Sequence, residues 1–471
     1  MTFSSLVFIC IFLPIVFLLH LIIPSLKVKN LLLIVASLLF YAFGEPVYVL
    51  LMILSAIMNY LFALMIDKSK PKLFLILAVI FNIGVLFVFK YTGLFVQSIN
   101  SILNLGIPVP NITLPIGISF FTFQALSYVI DVYRKETEVQ KNFLKVLLYI
   151  SFFPQLIAGP IVKYKDIEKE INDRSVEVDE IALGLRRFIF GLAKKVLIAN
   201  TMAVCADAIF DGGFTNVNII GAWLGAIAYT LQIYFDFSGY SDMAIGMGRM
   251  FGFHFKENFD FPYVAVTIKE FWRRWHISLS SWFKDYVYIP LGGNRKGAFR
   301  AGLNKFIVFF LCGLWHGASW TFVVWGLIHG LFSFLEEFVG GIKKLPRFIG
   351  HIYTMLVVCI SFVIFRAETF TEAFGMIKTM FTGFDFSLTY TSVFMSQVTP
   401  YFIFMLVMGI IFSAPVEKMV KNLRATSEVS ISNKKDYTVQ LCLYIFAFIL
   451  LAWCIIRLSG GSYNPFIYFR F

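Results

Sequence analysis

Residues 5–24 contain no Asp, Glu, Lys or Arg, and apolar stretches recur at 30–43, 47–66, 73–95, 114–133, 188–208, 219–249, 303–322, 323–340, 348–366, 400–417 and 438–458. The hydrocarbon core of a bilayer takes about 20 apolar residues per helical crossing, fewer where protein shields the segment. Within that core every backbone amide needs a partner in its own chain, which a helix supplies. The pattern predicts an all-α polytopic membrane protein with about 11–13 transmembrane helices, plus re-entrant and interfacial helices, around a central tunnel. Of the 471 residues 59% are hydrophobic and 14% charged, whereas a soluble domain carries about a quarter charged residues.

Charge then orients the runs. Lys27 and Lys29, the segment 67–72, and Arg134 to Lys145 are basic, while 44–46 and 96–113 carry no Lys or Arg. Basic loops stay on the cytoplasmic side, so both termini are expected outside. The net charge of +12 is therefore read as topology and not as a nucleic-acid surface. Residues 146–162 are apolar but broken by Pro154, Gly159 and Pro160 between basic flanks, which predicts a re-entrant segment buried in protein. Residues 163–187 read as a cytoplasmic surface helix. The six cysteines show no Cys-x-x-Cys spacing, so neither a disulfide framework nor a metal site is expected. The first run lacks a basic leader and a cleavage site, and reads as a span. No linker and no repeat divides the chain, which predicts one integral-membrane domain over 1–471.

The residues that carry chemistry concentrate in 271–330. His316 lies between Trp315 and Gly317 after an uncharged run. An ionisable side chain at that depth is expensive and is by default functional, the alternative being a neutral imidazole hydrogen-bonded within the bundle. Desolvation keeps such an imidazole neutral, and a neutral histidine is a competent general base. His276 sits among Arg273, Arg274, Lys284, Trp272, Trp275 and Trp282, a mixture ordinarily found at a membrane interface. The cations of this stretch, Arg273, Arg274, Lys284 and Arg295, equally suit the phosphates of a coenzyme A ester. Asp236 and Asp242 interrupt an apolar helix and read as the polar wall of a substrate tunnel in preference to a helix–helix contact.

Four long motifs, LPIGISFFTFQALSYVIDVYR, FWRRWHISLSSWFKDYVYIPLGGNR, GLWHGASWTFVVWGLIHG and the ending PFIYFRF, together resemble the membrane-bound O-acyltransferase family. The likeness is to its bacterial branch of alginate O-acetylases, peptidoglycan O-acetylases and teichoic-acid D-alanyl transferases, and it covers nearly the whole chain. It implies O-acyl transfer, preferably of acetyl, from a cytoplasmic acyl-coenzyme A across the bacterial cell membrane. A secreted or membrane-tethered serine-esterase-like partner of the SGNH type then completes transfer to a cell-surface polysaccharide. It further implies that His316 is the catalytic histidine and that His276 belongs to the second conserved motif. The ending resembles a C-terminal motif in which a tyrosine is proposed to carry the acyl group, which points to Tyr468 as nucleophile. Without the resemblance, a glycan flippase is the competing reading of so many spans, although transporters usually show internal repeats.

Overall fold

The computed structural model describes residues 1–212, 214–338, 346–416, 433–461, 463–464 and 466–467; of Phe214 and 433–437 it describes the backbone alone. Among these residues all regular structure is helical. Eight helices are long and apolar enough to cross a bilayer: Tyr48–Lys68, Pro71–Leu103, Val178–Asp211, Ile219–Met250, Gly297–His316, Trp320–Phe338, Arg347–Arg366 and Thr438–Ser459. A ninth arises if Leu388–Gln397 and Pro400–Phe412, bent by 72°, count as one span. The sequence pattern gives more spans because apolarity does not reveal where a helix ends. The runs at 5–24, 30–43 and 114–133 become Phe8–Ile22, Leu26–Ala42 and Ile118–Tyr133. The last has 16 residues, about 24 Å at 1.5 Å per residue against a core of about 30 Å. It starts late because Pro115 and Gly117, the latter at φ +76°, hold 114–117 out of the helix. The expected surface helix at 163–187 is likewise two pieces: Tyr164–Asn172, and the first turns of Val178–Asp211.

Ile219–Met250 is the central column, buried along most of its length. Val178–Asp211 lies against it through paired glycines. A Cβ on Gly191 would stand 2.6 Å from the Gly239 carbonyl oxygen, and one on Gly246 2.5 Å from that of Gly184, so only glycine lets the two backbones approach this closely. The π-helical segment Lys194–Ala199 widens the turn of Val178–Asp211 and presents successive lysines to the column. Lys194 reaches Asp242 at 2.6 Å, which Arg187 also meets at 2.9 Å, and Lys195 reaches Asp236 at 2.8 Å. The two carboxylates expected to wall a tunnel are instead ion-paired between helices.

The broken segment behaves as its prolines require. Phe143–Ser151 is followed by the single turn Phe153–Leu156 and irregular chain, and residues 146–163 are all buried. Side chains complete its backbone: Ser37 Oγ accepts from the Phe153 N–H, Ser278 Oγ accepts from the Ile161 N–H, and the Tyr149 hydroxyl donates to the Val162 carbonyl. Residues 258–288 fold inward in the same way. Ile268–Arg274 and Ile277–Phe283 are short helices, and Trp272, Trp275, Trp282 and Tyr286 are buried. The interfacial reading of those aromatics is therefore wrong: Trp282 stacks on Phe123 and Trp275 on Phe271, while Trp275 meets Phe259 and Trp272 meets Phe271 edge to face, and they form core.

Candidate active site

Gly297–His316 and Trp320–Phe338 make a hairpin joined at 317–319. Its helices touch backbone to backbone. A Cβ on Gly326 would lie 2.3 Å from the Phe309 carbonyl oxygen, and one on Gly313 2.5 Å from that of Phe322. His316 ends the first helix, buried, with its ring edge-on to Trp315, Trp325 and Phe365 at 5.0, 5.1 and 5.4 Å between centroids. Among the described residues neither ring nitrogen meets a hydrogen-bond partner, and the same holds for the indole N–H groups of Trp315 and Trp325. Buried polar atoms are normally paired, so a cluster of unpaired ones marks a place where something other than folding is selected. His329, on the partner helix, differs. Its Nδ1 accepts from Trp272 Nε1 at 3.2 Å and its Nε2 meets Ser361 Oγ at 3.0 Å, so both nitrogens hold structure together.

His276 is not interfacial. It is fully buried, and its ring lies 6.5 Å from that of His316 and 4.6 Å from Phe237. Its backbone occupies the left-handed region at φ +44°, an uncommon conformation for a residue with a Cβ, which aims the side chain inward at the start of Ile277–Phe283. Asn258 sets its tautomer. The amide nitrogen of Asn258 donates to Ser241 Oγ at 3.0 Å and to the Gly159 carbonyl, while its Oδ1 accepts from the Ser278 N–H and hydroxyl. That oxygen therefore faces His276 Nδ1 at 3.2 Å, so Nδ1 carries the proton and Nε2 keeps a lone pair, without a partner among the described residues. Burial, and next the His316 imidazole, hold the His276 pKa well below the usual imidazole range; the ring is neutral, with Nε2 unprotonated.

Beside His316 lies a cavity of about 90 Å³ walled by Lys90, residues 114–120, Ile157 and Trp315. Lys90 is a buried cation on the π-helical segment Phe87–Tyr91. It donates to the Trp315 carbonyl at 2.5 Å, the His316 carbonyl at 3.3 Å and Ser119 Oγ at 3.2 Å, a cation placed where a helix C-terminus is negative. Sequence reading passed over Lys90, Ser119 and Asn258. Lys90 did carry a signal, being the one charge in the run 73–95 at a depth where ionisable groups are costly. Asn258 and Ser119 carried none, because polar neutral residues are common in bundles.

The basic residues expected to bind the donor separate. Arg274 is engaged by Glu270 at 2.9 Å and Asp260 at 3.1 Å. Arg273, Lys284 and Arg295 are exposed. Tyr468 lies outside the described residues. Of the residues leading to it, Asn464, Phe466 and Ile467 pack into the protein. Asn464 donates to the Ser4 carbonyl and accepts from Asn200, Phe466 stacks on Tyr240 at 4.7 Å, and the Ile467 N–H donates to Asp236 at 2.8 Å. Asp236 adjoins Phe237, whose ring meets His276.

The sequence model of the membrane-bound O-acyltransferase family matches residues 117–377, which contain both histidines. The chain is 41% identical to a probable alginate O-acetylase of Pseudomonas putida across the full length of both. It is 36% identical to a peptidoglycan O-acetyltransferase of Helicobacter pylori, covering 100% of this chain and 97% of that one. A teichoic acid D-alanyltransferase of Bacillus subtilis is 28% identical over 56% of this chain and 71% of its own.

Proposed function

Because the chain belongs to the membrane-bound O-acyltransferase family, we propose that it moves an acetyl group from cytoplasmic acetyl-coenzyme A across the membrane for O-acetylation of a cell-surface or secreted polysaccharide. Its place is the bacterial cell membrane, which it crosses many times. The observation that carries the reading is the meeting of His276 and His316, 40 residues apart in sequence, with three of their four ring nitrogens buried and, among the described residues, without partners. The relatives named for O-acetylation, aligned over the whole chain, favour acetyl.

In this mechanism His316 accepts the proton of the attacking hydroxyl. That oxygen forms its bond to the thioester carbonyl carbon, the carbon–sulfur bond breaks, and the departing sulfur takes the proton back from His316. His276, held by Asn258 with Nε2 unprotonated, orients the nucleophile or its proton. The exposed Arg273, Lys284 and Arg295 hold the donor's phosphates at the cytoplasmic face; Arg274 serves the fold through its ion pairs. The nucleophile is the phenol of Tyr468. An ordinary phenol has pKa about 10 and needs a base to react near neutrality. The acyl-tyrosine ester then passes to an SGNH-type partner outside, which acylates the polysaccharide.

Acyl transfer from radiolabelled acetyl-coenzyme A by the full-length protein in membranes tests this. His316→Ala is expected to abolish label transfer while leaving membrane insertion intact, and undiminished transfer refutes the base assignment. Tyr468→Phe keeps the ring and removes the nucleophile, so near-normal activity in that variant removes the relay alone.

A further inference from the structure

The cavity at His316 is electropositive by construction. Ile118–Tyr133 begins at it, with Gly117, Ile118, Ser119 and Phe120 in its wall. The Ile118 N–H bonds to Pro115 and those of Phe120 and Phe121 to Gly117, and among the described residues the Ser119 N–H has no backbone acceptor at the positive end of the helix. Ser119 Oγ accepts from the Lys90 ammonium, so the hydroxyl is polarised and keeps its own proton to donate. Lys90 meets three neutral oxygens, and among the described residues no carboxylate is paired with it. The fourth component is the His316 ring, 95% buried, in the wall of the same cavity, with both nitrogens unpartnered among the described residues.

We propose that this cavity is the oxyanion site of the acyl transfer, with the Ser119 N–H and hydroxyl as hydrogen-bond donors and the Lys90 ammonium as the charge behind them. The inference rests on the reading of His316 as the base at a thioester carbonyl. When the hydroxyl oxygen bonds to that carbon, the carbonyl π pair moves onto oxygen and His316 takes the proton. The new O⁻ receives two hydrogen bonds from Ser119. The pair then returns, the carbon–sulfur bond breaks, and the sulfur leaves with the proton from His316. Preorganised donors of this kind act in a site with little water, where they strengthen as charge develops. Lys90 does a second thing through the same ammonium: by bonding the Trp315 and His316 carbonyls it holds the base at a fixed distance from the donors.

Steady-state release of thiol from acetyl-coenzyme A by full-length Ser119→Ala, Lys90→Gln and Lys90→Arg, with His316→Ala alongside, tests the site. Ser119→Ala and Lys90→Gln are expected to lower kcat by on the order of 100-fold, as for loss of an oxyanion donor. The KM for acetyl-coenzyme A should stay within about twofold, since the donors act on the transition state. Lys90→Arg, which keeps the charge, restores most of the rate, whereas a purely structural cap shows its loss in the thermal midpoint and not in kcat. Inert His316→Ala together with wild-type kcat in Ser119→Ala overturns the oxyanion site and leaves the histidine reading standing. Active His316→Ala overturns that reading itself. Should Lys90→Gln fail to fold, Ser119→Ala decides alone, because it leaves the bonds from Lys90 to the helix end in place.

Discussion

Gly313→Ala tests whether the hairpin positions His316. The new Cβ would stand 2.5 Å from the Phe322 carbonyl oxygen and 3.1 Å from Val323 Cα, where ordinary contact begins at 3.4 Å. Backbone on both sides cannot rotate away, so the helices must part by about 0.9 Å, the difference between 3.4 and 2.5 Å. Overpacking of this kind costs about 1–3 kcal/mol, partly offset by the roughly 1 kcal/mol that alanine gains over glycine in a helix. A net loss of about 0–2 kcal/mol follows, and the protein stays folded. Catalysis is more sensitive. His316 is one turn further along the same helix, and a displacement near 1 Å costs about 100-fold in rate. Thermal unfolding in detergent and acyl transfer in membranes, measured on the same preparations, separate the two effects. Gly330→Ala is the control, because its Cβ would meet the Phe306 ring and Phe309 Cβ no closer than 3.2 Å, and it is expected to be near normal in both assays. Gly326→Ala presses on the same interface from the other helix, so the double variant should lose less than the sum of the singles. Full activity in Gly313→Ala, with the thermal midpoint unchanged, refutes the argument.

Asn258→Ala should lower activity by about 10–100-fold, as loss of a group that orients a functional histidine does, and Asn258→Asp, which keeps the acceptor, should recover part of it; equal losses in both contradict the tautomer assignment. His329→Ala removes two buried hydrogen-bond partners and leaves a void, a loss of about 2–4 kcal/mol in stability, and kcat per folded molecule is expected to hold; a fall in kcat at constant stability would place His329 in the chemistry. For orientation, Asn111→Cys should react with a membrane-impermeant thiol reagent on intact cells and Lys70→Cys only after permeabilisation, and the reverse pattern overturns the assignment from loop charges.

Much of the architecture is legible in the chain because the bilayer acts on composition directly. A run of apolar residues has one inexpensive conformation in hydrocarbon, and prolines at 154 and 160 have one tolerable place, buried in protein. His316 is legible as a candidate for the same reason: a titratable ring in an uncharged run is costly. The family motifs identify both histidines without saying how they are related in space.

What tertiary structure alone decides is direction. Trp272, Trp275 and Trp282 have the composition of an interface belt, and only packing on Phe123, Phe259 and Phe271 turns them into core. Asp236 and Asp242 look like a tunnel wall until the π-helical turn at Lys194–Ala199 brings two lysines onto them. Whether a polar group in an apolar helix faces lipid, a substrate or another helix is set by helix rotation and by backbone irregularities a few residues long. Those depend on contacts between segments remote in sequence, such as Gly191 on Gly239. Hydropathy sums over a window and does not register them. The 6.5 Å between His276 and His316 arises the same way, from a left-handed residue, a glycine-paired hairpin and a buried asparagine, none of which changes the apolar pattern.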